Sequence, residues 1–337
     1  MKILVTGGAG FIGSHTVVEL VAAGHDPVIL DDFSNSDPAV LDGLAELTGR
    51  PITTYQHSCL DAAYLSDLLR SERIEGVIHF AASKAVGESV EKPLLYYENN
   101  LSVLVTLLKT MLAVGVPHLV FSSSCTVYGQ PDTLPVTEET PVQPAASPYG
   151  NTKQVGEEII RDVVASGAAL KALALRYFNP IGAHPSALIG ELPRGVPSNL
   201  VPFLTQSAAG LRGALTVFGT DYPTPDGTAI RDYIHVVDLA KAHVRAVEVL
   251  SQKPEPTSYD VFNLGTGRGN SVRELIDTFE EATGVKLNYT FGPRRAGDVT
   301  AVYGEVSKAA RLLGWQTEKS LAESLADAWR WQQKLQS

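Results

Sequence analysis

The feature that most constrains this chain is the turn Gly7-Gly8-Ala9-Gly10-Phe11-Ile12-Gly13, which follows directly on the short apolar run Lys2–Thr6. It satisfies two glycine spacings at once, G-x-G-x-x-G from Gly8 and G-x-x-G-x-x-G from Gly7. Such a turn lets backbone N–H groups approach a phosphate at a helix N-terminus, where any Cβ would intrude. Glycine turns are common, so context decides. Here a strand precedes the turn, and a helical pattern carrying Ile12, Val17, Val18, Leu20 and Val21 follows it. Asp31 ends the next strand, 18 residues after Gly13, placed to accept hydrogen bonds from a ribose 2′-hydroxyl. Asp32 comes next and the first basic residue beyond it is Arg50, so a 2′-phosphate would meet negative charge. The segment therefore predicts a dinucleotide site for NAD rather than NADP.

Short β-branched runs alternate with longer helical patterns through the first half. The strand candidates are Lys2–Thr6, Pro27–Asp31, Gly76–Phe80, His118–Ser122 and Leu170–Tyr177. They are apolar on both faces, as parallel strands covered on both sides require. The expected architecture is an α/β doubly wound parallel (Rossmann) sheet over residues 1–180, with a second, smaller mixed α/β substrate domain over 181–337. Val236–Leu250 reads as a helix and Tyr259–Asn263 as a strand, so 236–263 is suited to rejoin the first domain. Pro131–Pro148 holds five prolines, which remove donors and fix φ, so it reads as a long loop.

The reacting groups are read from Ser147-Pro148-Tyr149-Gly150-Asn151-Thr152-Lys153. Ser147 suits an N-cap and Pro148 the first helical position, which sets Tyr149 and Lys153 at i and i+4 on one helix face. A phenol titrates near ~10. A neighbouring ammonium, the helix N-terminus and a positive nicotinamide would all favour phenolate and bring Tyr149 toward the working pH of a general base. Ser124 follows the strand His118–Ser122 at the carboxyl edge of the sheet, in reach of the same substrate oxygen. A bare Tyr-x-x-x-Lys is often an exposed helix pair; the glycine turn and the strand-end serine weigh against that here.

Composition narrows the setting. The 337 residues can bury a large core without disulfides or metals. A net charge of −10, from 37 acidic against 27 basic residues, disfavours a nucleic-acid or anionic-membrane surface. Two cysteines, Cys59 and Cys125, provide neither a disulfide framework nor a metal pattern, and point to a reducing cytoplasm. The eight histidines lack metal spacing, and no apolar run approaches a membrane span.

Beyond these segments the chain carries His79-Phe80-Ala81, Lys84-Ala85-Val86-Gly87-Glu88-Ser89, Val127-Tyr128-Gly129, Leu175-Arg176-Tyr177-Phe178-Asn179-Pro180 and Gly182-Ala183-His184-Pro185. Further along stand Phe218-Gly219, Asp221-Tyr222-Pro223-Thr224, Arg231-Asp232-Tyr233-Ile234-His235 and Pro293-Arg294-Arg295. With these motifs it resembles the extended short-chain dehydrogenase/reductase superfamily and, within it, the UDP-glucose 4-epimerase family, over essentially its whole length. The resemblance implies that Gly7, Gly10, Phe11, Ile12, Gly13, Asp31, Asp32, Asn35, Ser36, Phe80, Ala81, Lys84, Asn99, Ser124, Tyr149, Lys153 and Tyr177 face NAD. It implies that Phe178, Asn179, Asn199, Leu200, Phe218, Arg231, Arg295, Asp298 and Val302 hold the UDP-sugar.

By the same likeness Tyr149 removes and returns the 4-hydroxyl proton while hydride passes between the sugar C4 and NAD, through a 4-keto sugar that presents its other face. Two arginines suit a clamped pyrophosphate. The resemblance also sets Cys59, with Asp61 two residues on, where the family has an Asp for the adenine amino group. Val302 falls where members carry a bulky Tyr or a small Cys, and the small residue goes with N-acetylated sugars; UDP-GlcNAc and UDP-GalNAc are therefore further candidate substrates. A sugar-nucleotide 4,6-dehydratase would need an acidic pair after Ser124, where this chain has Cys125-Thr126; a non-catalytic dinucleotide sensor would not need Ser124, Tyr149 and Lys153 together. Family likeness further implies a C2 homodimer through Leu101, Val105, Leu108 and Leu112 of one helix and Val155, Ile159, Ile160, Val163 and Val164 of another.

Overall fold

A computed structural model describes residues 1–294 and 298–336. Among them the main sheet has seven parallel strands. Their order is Ser258–Leu264, Lys171–Tyr177, His118–Ser122, Gly76–His79, Lys2–Thr6, Asp26–Asp31 and Thr53–Gln56. Alternate residues of each strand feed opposite cores. Ile3 and Val5 join Val17, Leu20 and Val247 beneath the helices Phe11–Ala22 and Val236–Gln252. Leu4 joins Leu65, Leu104 and Ile160 beneath Ala62–Ser71, Pro93–Val114 and Pro148–Ala165. Burial on both faces explains why these strands read as continuous apolar runs.

The strand Thr53–Gln56 was not expected from hydrophobicity. It lies at the sheet edge with its outer residues exposed, so Thr, Tyr and Gln serve there.

The rest of the chain forms short sheets beside the carboxyl edge. Leu215–Phe218 pairs with Tyr289–Gly292, Asn179–Ile181 with Tyr233–His235, and Ile230–Arg231 lies between Asn270–Ser271 and Ala301–Val302. The helices Val272–Thr283 and Leu321–Lys334 each begin with a capping box, Ser271/Glu274 and Ser320/Glu323. With Leu200–Ala208 they enclose Leu204, Leu275, Ile276, Phe279 and Leu325. Segment 236–264 rejoins the first body as a covering helix and an edge strand. So does 307–315: Ala309, Leu313 and Trp315 enter the first core, and the Trp315 indole donates to the Asp238 carbonyl at 2.8 Å. A seven-residue helix without a side-chain cap gives little sign of this in sequence.

Candidate active site

From Lys2–Thr6 the chain winds outward through two strands and then resumes on the other side with Gly76–His79. The crevice between these two carboxyl ends is the topological switch point, where such sheets bind ligands. Gly7 meets Ala81 there. A Cβ on Gly7, whose φ is +68°, would lie 2.9 Å from the Ala81 nitrogen, and one on Gly13 would lie 2.3 Å from the Gly7 carbonyl. Only glycine fits either place. Gly10 caps the helix Phe11–Ala22 without a side-chain hydrogen bond, leaving its first N–H groups for an anion. These residues fit the pyrophosphate of a dinucleotide.

Asp31 is held by the glycine turn and by the turn that follows its own strand. Its Oδ2 accepts the Ala9 N–H at 3.0 Å; its Oδ1 accepts the Phe33 N–H at 2.9 Å and the Ser36 hydroxyl at 2.7 Å. A carboxylate has about four acceptor positions, so capacity remains for a ribose hydroxyl. Cys59 is buried and lines the cleft with His57 and Ser58. Asp61, by contrast, caps the helix Ala62–Ser71 and holds His57 at 3.0 Å.

The expected helix start is present. Ser147 accepts the Gly150 N–H at 3.2 Å and Pro148 occupies the first turn, bringing Tyr149 and Lys153 inward on one face. Both are buried. The Lys153 ammonium donates to the Ser122 carbonyl at 2.6 Å and stands 5.8 Å from the centre of the Tyr149 ring. Burial pulls its pKa down to about 8 against the charge of Glu157. Burial pushes the Tyr149 phenol up, Tyr177 adds to this, and hydrogen bonding to Ser124 works the other way. In the protein alone this direction is opposite to the one expected from sequence. The phenol loses water, while the ammonium is turned toward a carbonyl of the neighbouring strand. Ser124, itself buried, also accepts the Thr126 N–H at 3.2 Å.

One cleft of about 560 Å³ joins these groups to the rest. It is lined by all the residues expected to face cofactor or sugar except Arg295, which lies outside the described residues. At its far end Arg231 pairs with Asp298 at 3.5 Å. Asp232, beside Arg231 in sequence, instead accepts the N–H groups of Thr266 and Gly267 at 2.8 and 3.1 Å, so it does not compete for the guanidinium. Phe178 and Val302 are buried together with Cys125, whereas Phe218 is exposed at the rim.

Ser122 was missed from sequence, and its signal was slight: it is one of three successive serines, and its main chain rather than its hydroxyl meets Lys153. Glu157 was missed too. It extends the face of Tyr149 and Lys153 by one further i+4 step and accepts a two-pronged contact from Arg176, Nε at 2.9 Å and Nη2 at 2.6 Å.

Comparison with known proteins agrees with this geometry. A family model described as the NAD dependent epimerase/dehydratase family matches residues 3–265. The chain belongs to this family. Among members of the family, the UDP-glucose 4-epimerase of Bacillus subtilis (strain 168) is 49% identical, over 98% of this chain and 97% of its own. A solved UDP-glucose-4-epimerase from Stenotrophomonas maltophila, with bound NAD and formylated UDP-arabinopyranose, superposes with a TM-score of 0.96 at 47% identity, covering 100% of this chain and 99% of that one. The UDP-glucose 4-epimerase from Bifidobacterium longum, in complex with NAD+ and UDP, superposes with a TM-score of 0.95 at 46% identity, covering 99% and 98%.

Proposed function

We propose that this chain is an NAD-dependent UDP-glucose 4-epimerase, interconverting UDP-glucose and UDP-galactose. The observation that carries the reading is the single cleft in which the glycine cradle, the Ser124–Tyr149–Lys153 group and the Arg231–Asp298 pair stand in succession. NAD bound in it supplies a reversible two-electron oxidation at the sugar C4. Gly7, Gly10 and Gly13 receive its pyrophosphate and Asp31 a ribose hydroxyl. Tyr149 takes the 4-hydroxyl proton and returns it after the sugar has exposed its other face. Lys153, held by the Ser122 carbonyl, keeps positive charge close to that phenol. Ser124 orients the reacting oxygen. Arg231 binds phosphate through a group steadied by Asp298, so the nucleotide is fixed while the hexose is free to turn.

Incubation with UDP-galactose without added reductant, followed by product separation, tests the reading. UDP-glucose should appear with no net change in NADH absorbance; formation of an oxidised product with NADH accumulating would replace epimerisation by dehydrogenation.

One observation favours N-acetylated sugars as additional substrates. Val302 lines the cleft, while the Tyr303 ring turns onto Gly269, where a Cβ would come within 2.8 Å of it. The Tyr303 ring, which does not line the cleft, is therefore not what fills the space beside Val302.

A homodimer fits the outer faces of two helices. Leu108 and Ile160 are buried in the chain's own core, but Leu101, Val105, Leu112, Ile159 and Val163 remain partly or largely accessible. A monomer mass by light scattering would refute it. Among the described residues no helix is long and apolar enough to cross a membrane. The two cysteines are free and buried, which suits a reducing cytoplasm.

A further inference from the structure

The turn Asp31–Ser36 carries the side chains expected at the adenosine ribose, and it has two dissimilar sides. Its donors face acidic side chains: the Phe33 N–H and Ser36 hydroxyl bond Asp31, and the Ser34 N–H bonds Asp32 at 2.9 Å. Its carbonyls converge on the other side. Phe33 adopts φ +55°, a conformation side chains other than glycine rarely take, and such a residue persists only where its surroundings hold it.

Besides the local bond to Asp31, a side chain remote in sequence holds it. The Arg194 guanidinium donates to the carbonyls of Phe33 at 2.8 Å, Ser34 at 2.8 Å and Ser36 at 2.7 Å. A planar fork with fixed donors can meet three such acceptors; an ammonium on a flexible stem cannot do so equally. Arg194 stands behind the turn rather than in the cleft, since it is not among the cleft-lining residues.

Arg194 belongs to the segment between Gly190 and Asn199, which is anchored on the sugar side of the molecule. The Trp331 indole donates to the Glu191 carbonyl at 2.9 Å, and Arg212 donates to the Gly195 carbonyl at 2.8 Å. The same segment reaches the opposite lip: the Glu191 carboxylate accepts from Asn199 at 2.9 Å and from Lys84 at 3.3 Å. It thus spans the dinucleotide half of the cleft, with Arg194 on the ribose turn and Glu191 on the loop after Gly76–His79.

We propose that Arg194 is a positioning residue for NAD, a strap from the sugar-binding side that locks the Asp31–Ser36 turn in its cofactor-binding shape. It acts through Asp31, Asn35 and Ser36 and touches neither substrate nor cofactor. The inference rests on the reading of the cleft as an NAD site.

The test compares wild type with Arg194→Met and Arg194→Lys, each purified as the full chain. NAD retained through gel filtration is quantified after heat release, and the affinity for added NAD+ and NADP+ is measured by calorimetry. Arg194→Met should weaken NAD+ binding about tenfold or more, the scale expected for losing hydrogen bonds from a charged group. Arg194→Lys should recover part of it. The KM for UDP-galactose should stay unchanged at saturating NAD+, and added NAD+ should reverse the loss of turnover. Unchanged NAD+ retention in Arg194→Met would overturn the proposal. So would a loss confined to NADP+, which would make Arg194 a phosphate ligand, or an equal loss in NAD+ affinity and UDP-galactose KM, the mark of general loosening. If wild type neither retains nor binds NAD+, the reading of the cleft itself has failed, and the strap falls with it.

Discussion

Replacing Glu157 by glutamine isolates an electrostatic effect on the reacting pair. Glu157 and Arg176 have side-chain exposures of only 8% and 7%, and Ser123 also donates its hydroxyl to the carboxylate. Ser123 adjoins Ser124, Arg176 adjoins Tyr177, and Glu157 lies one turn beyond Lys153, so this carboxylate ties together the backbone beneath three cleft residues. Glutamine keeps the shape and an accepting carbonyl but removes the charge. Stranding a buried partner costs roughly 3–5 kcal/mol, and the retained acceptor puts the expected loss near the lower end, about 3 kcal/mol. The second effect falls on Lys153, whose pKa burial lowers to about 8 while Glu157 opposes the fall. Two unit charges about 7 Å apart are worth about 2 kcal/mol at an effective dielectric of about 20. The nearby Arg176 cation cancels part of this and leaves a displacement of about one pH unit or less. The sign follows directly: without the anion the ammonium gives up its proton more readily, so the alkaline limb of kcat/KM moves to lower pH. Urea unfolding reads the first effect and a pH–rate profile the second. If stability falls while the alkaline limb stays in place, Glu157 supports only the fold, and its assigned influence on Lys153 is wrong.

Tyr149→Phe should lower kcat by about 10²–10⁴-fold with UDP affinity by calorimetry unchanged, the scale of a lost general acid–base; turnover of UDP-galactose near the wild-type rate would remove Tyr149 from the proton path. Val302→Tyr should suppress turnover of UDP-GlcNAc more than that of UDP-galactose, because the added ring enters the cleft beside Phe178. Equal effects on both sugars, or no turnover of UDP-GlcNAc by the wild type, would show that this position does not set the choice.

The parts legible in sequence were those in which one local pattern dictates both structure and chemistry. The glycine turn is such a case, because the spacing that predicts close backbone approach is met by the tight contacts at Gly7 and Gly13, the geometry that the proposed phosphate cradle needs. So is the helix start at Ser147 and Pro148, which both begins a helix and aims Tyr149 and Lys153 inward. Polar edge strands and short returning segments were not legible, since Thr53–Gln56 and 307–315 owe their places to tertiary contacts rather than to periodicity. The absence of a nearby basic residue after Asp32 was a sound inference along the chain and an incomplete one in space: Arg194 comes to the same turn from about 160 residues away. Three of its five N–H donors go to carbonyls of the turn, and Arg194 does not line the cleft, so these donors make no seat for a 2′-phosphate. Charge counted along a sequence says what a site lacks nearby; only the direction of the donors says what an incoming cation does. That direction is what the proposed strap requires, and it leaves the carboxylates of Asp31 and Asp32 as the charges that an incoming 2′-phosphate would meet.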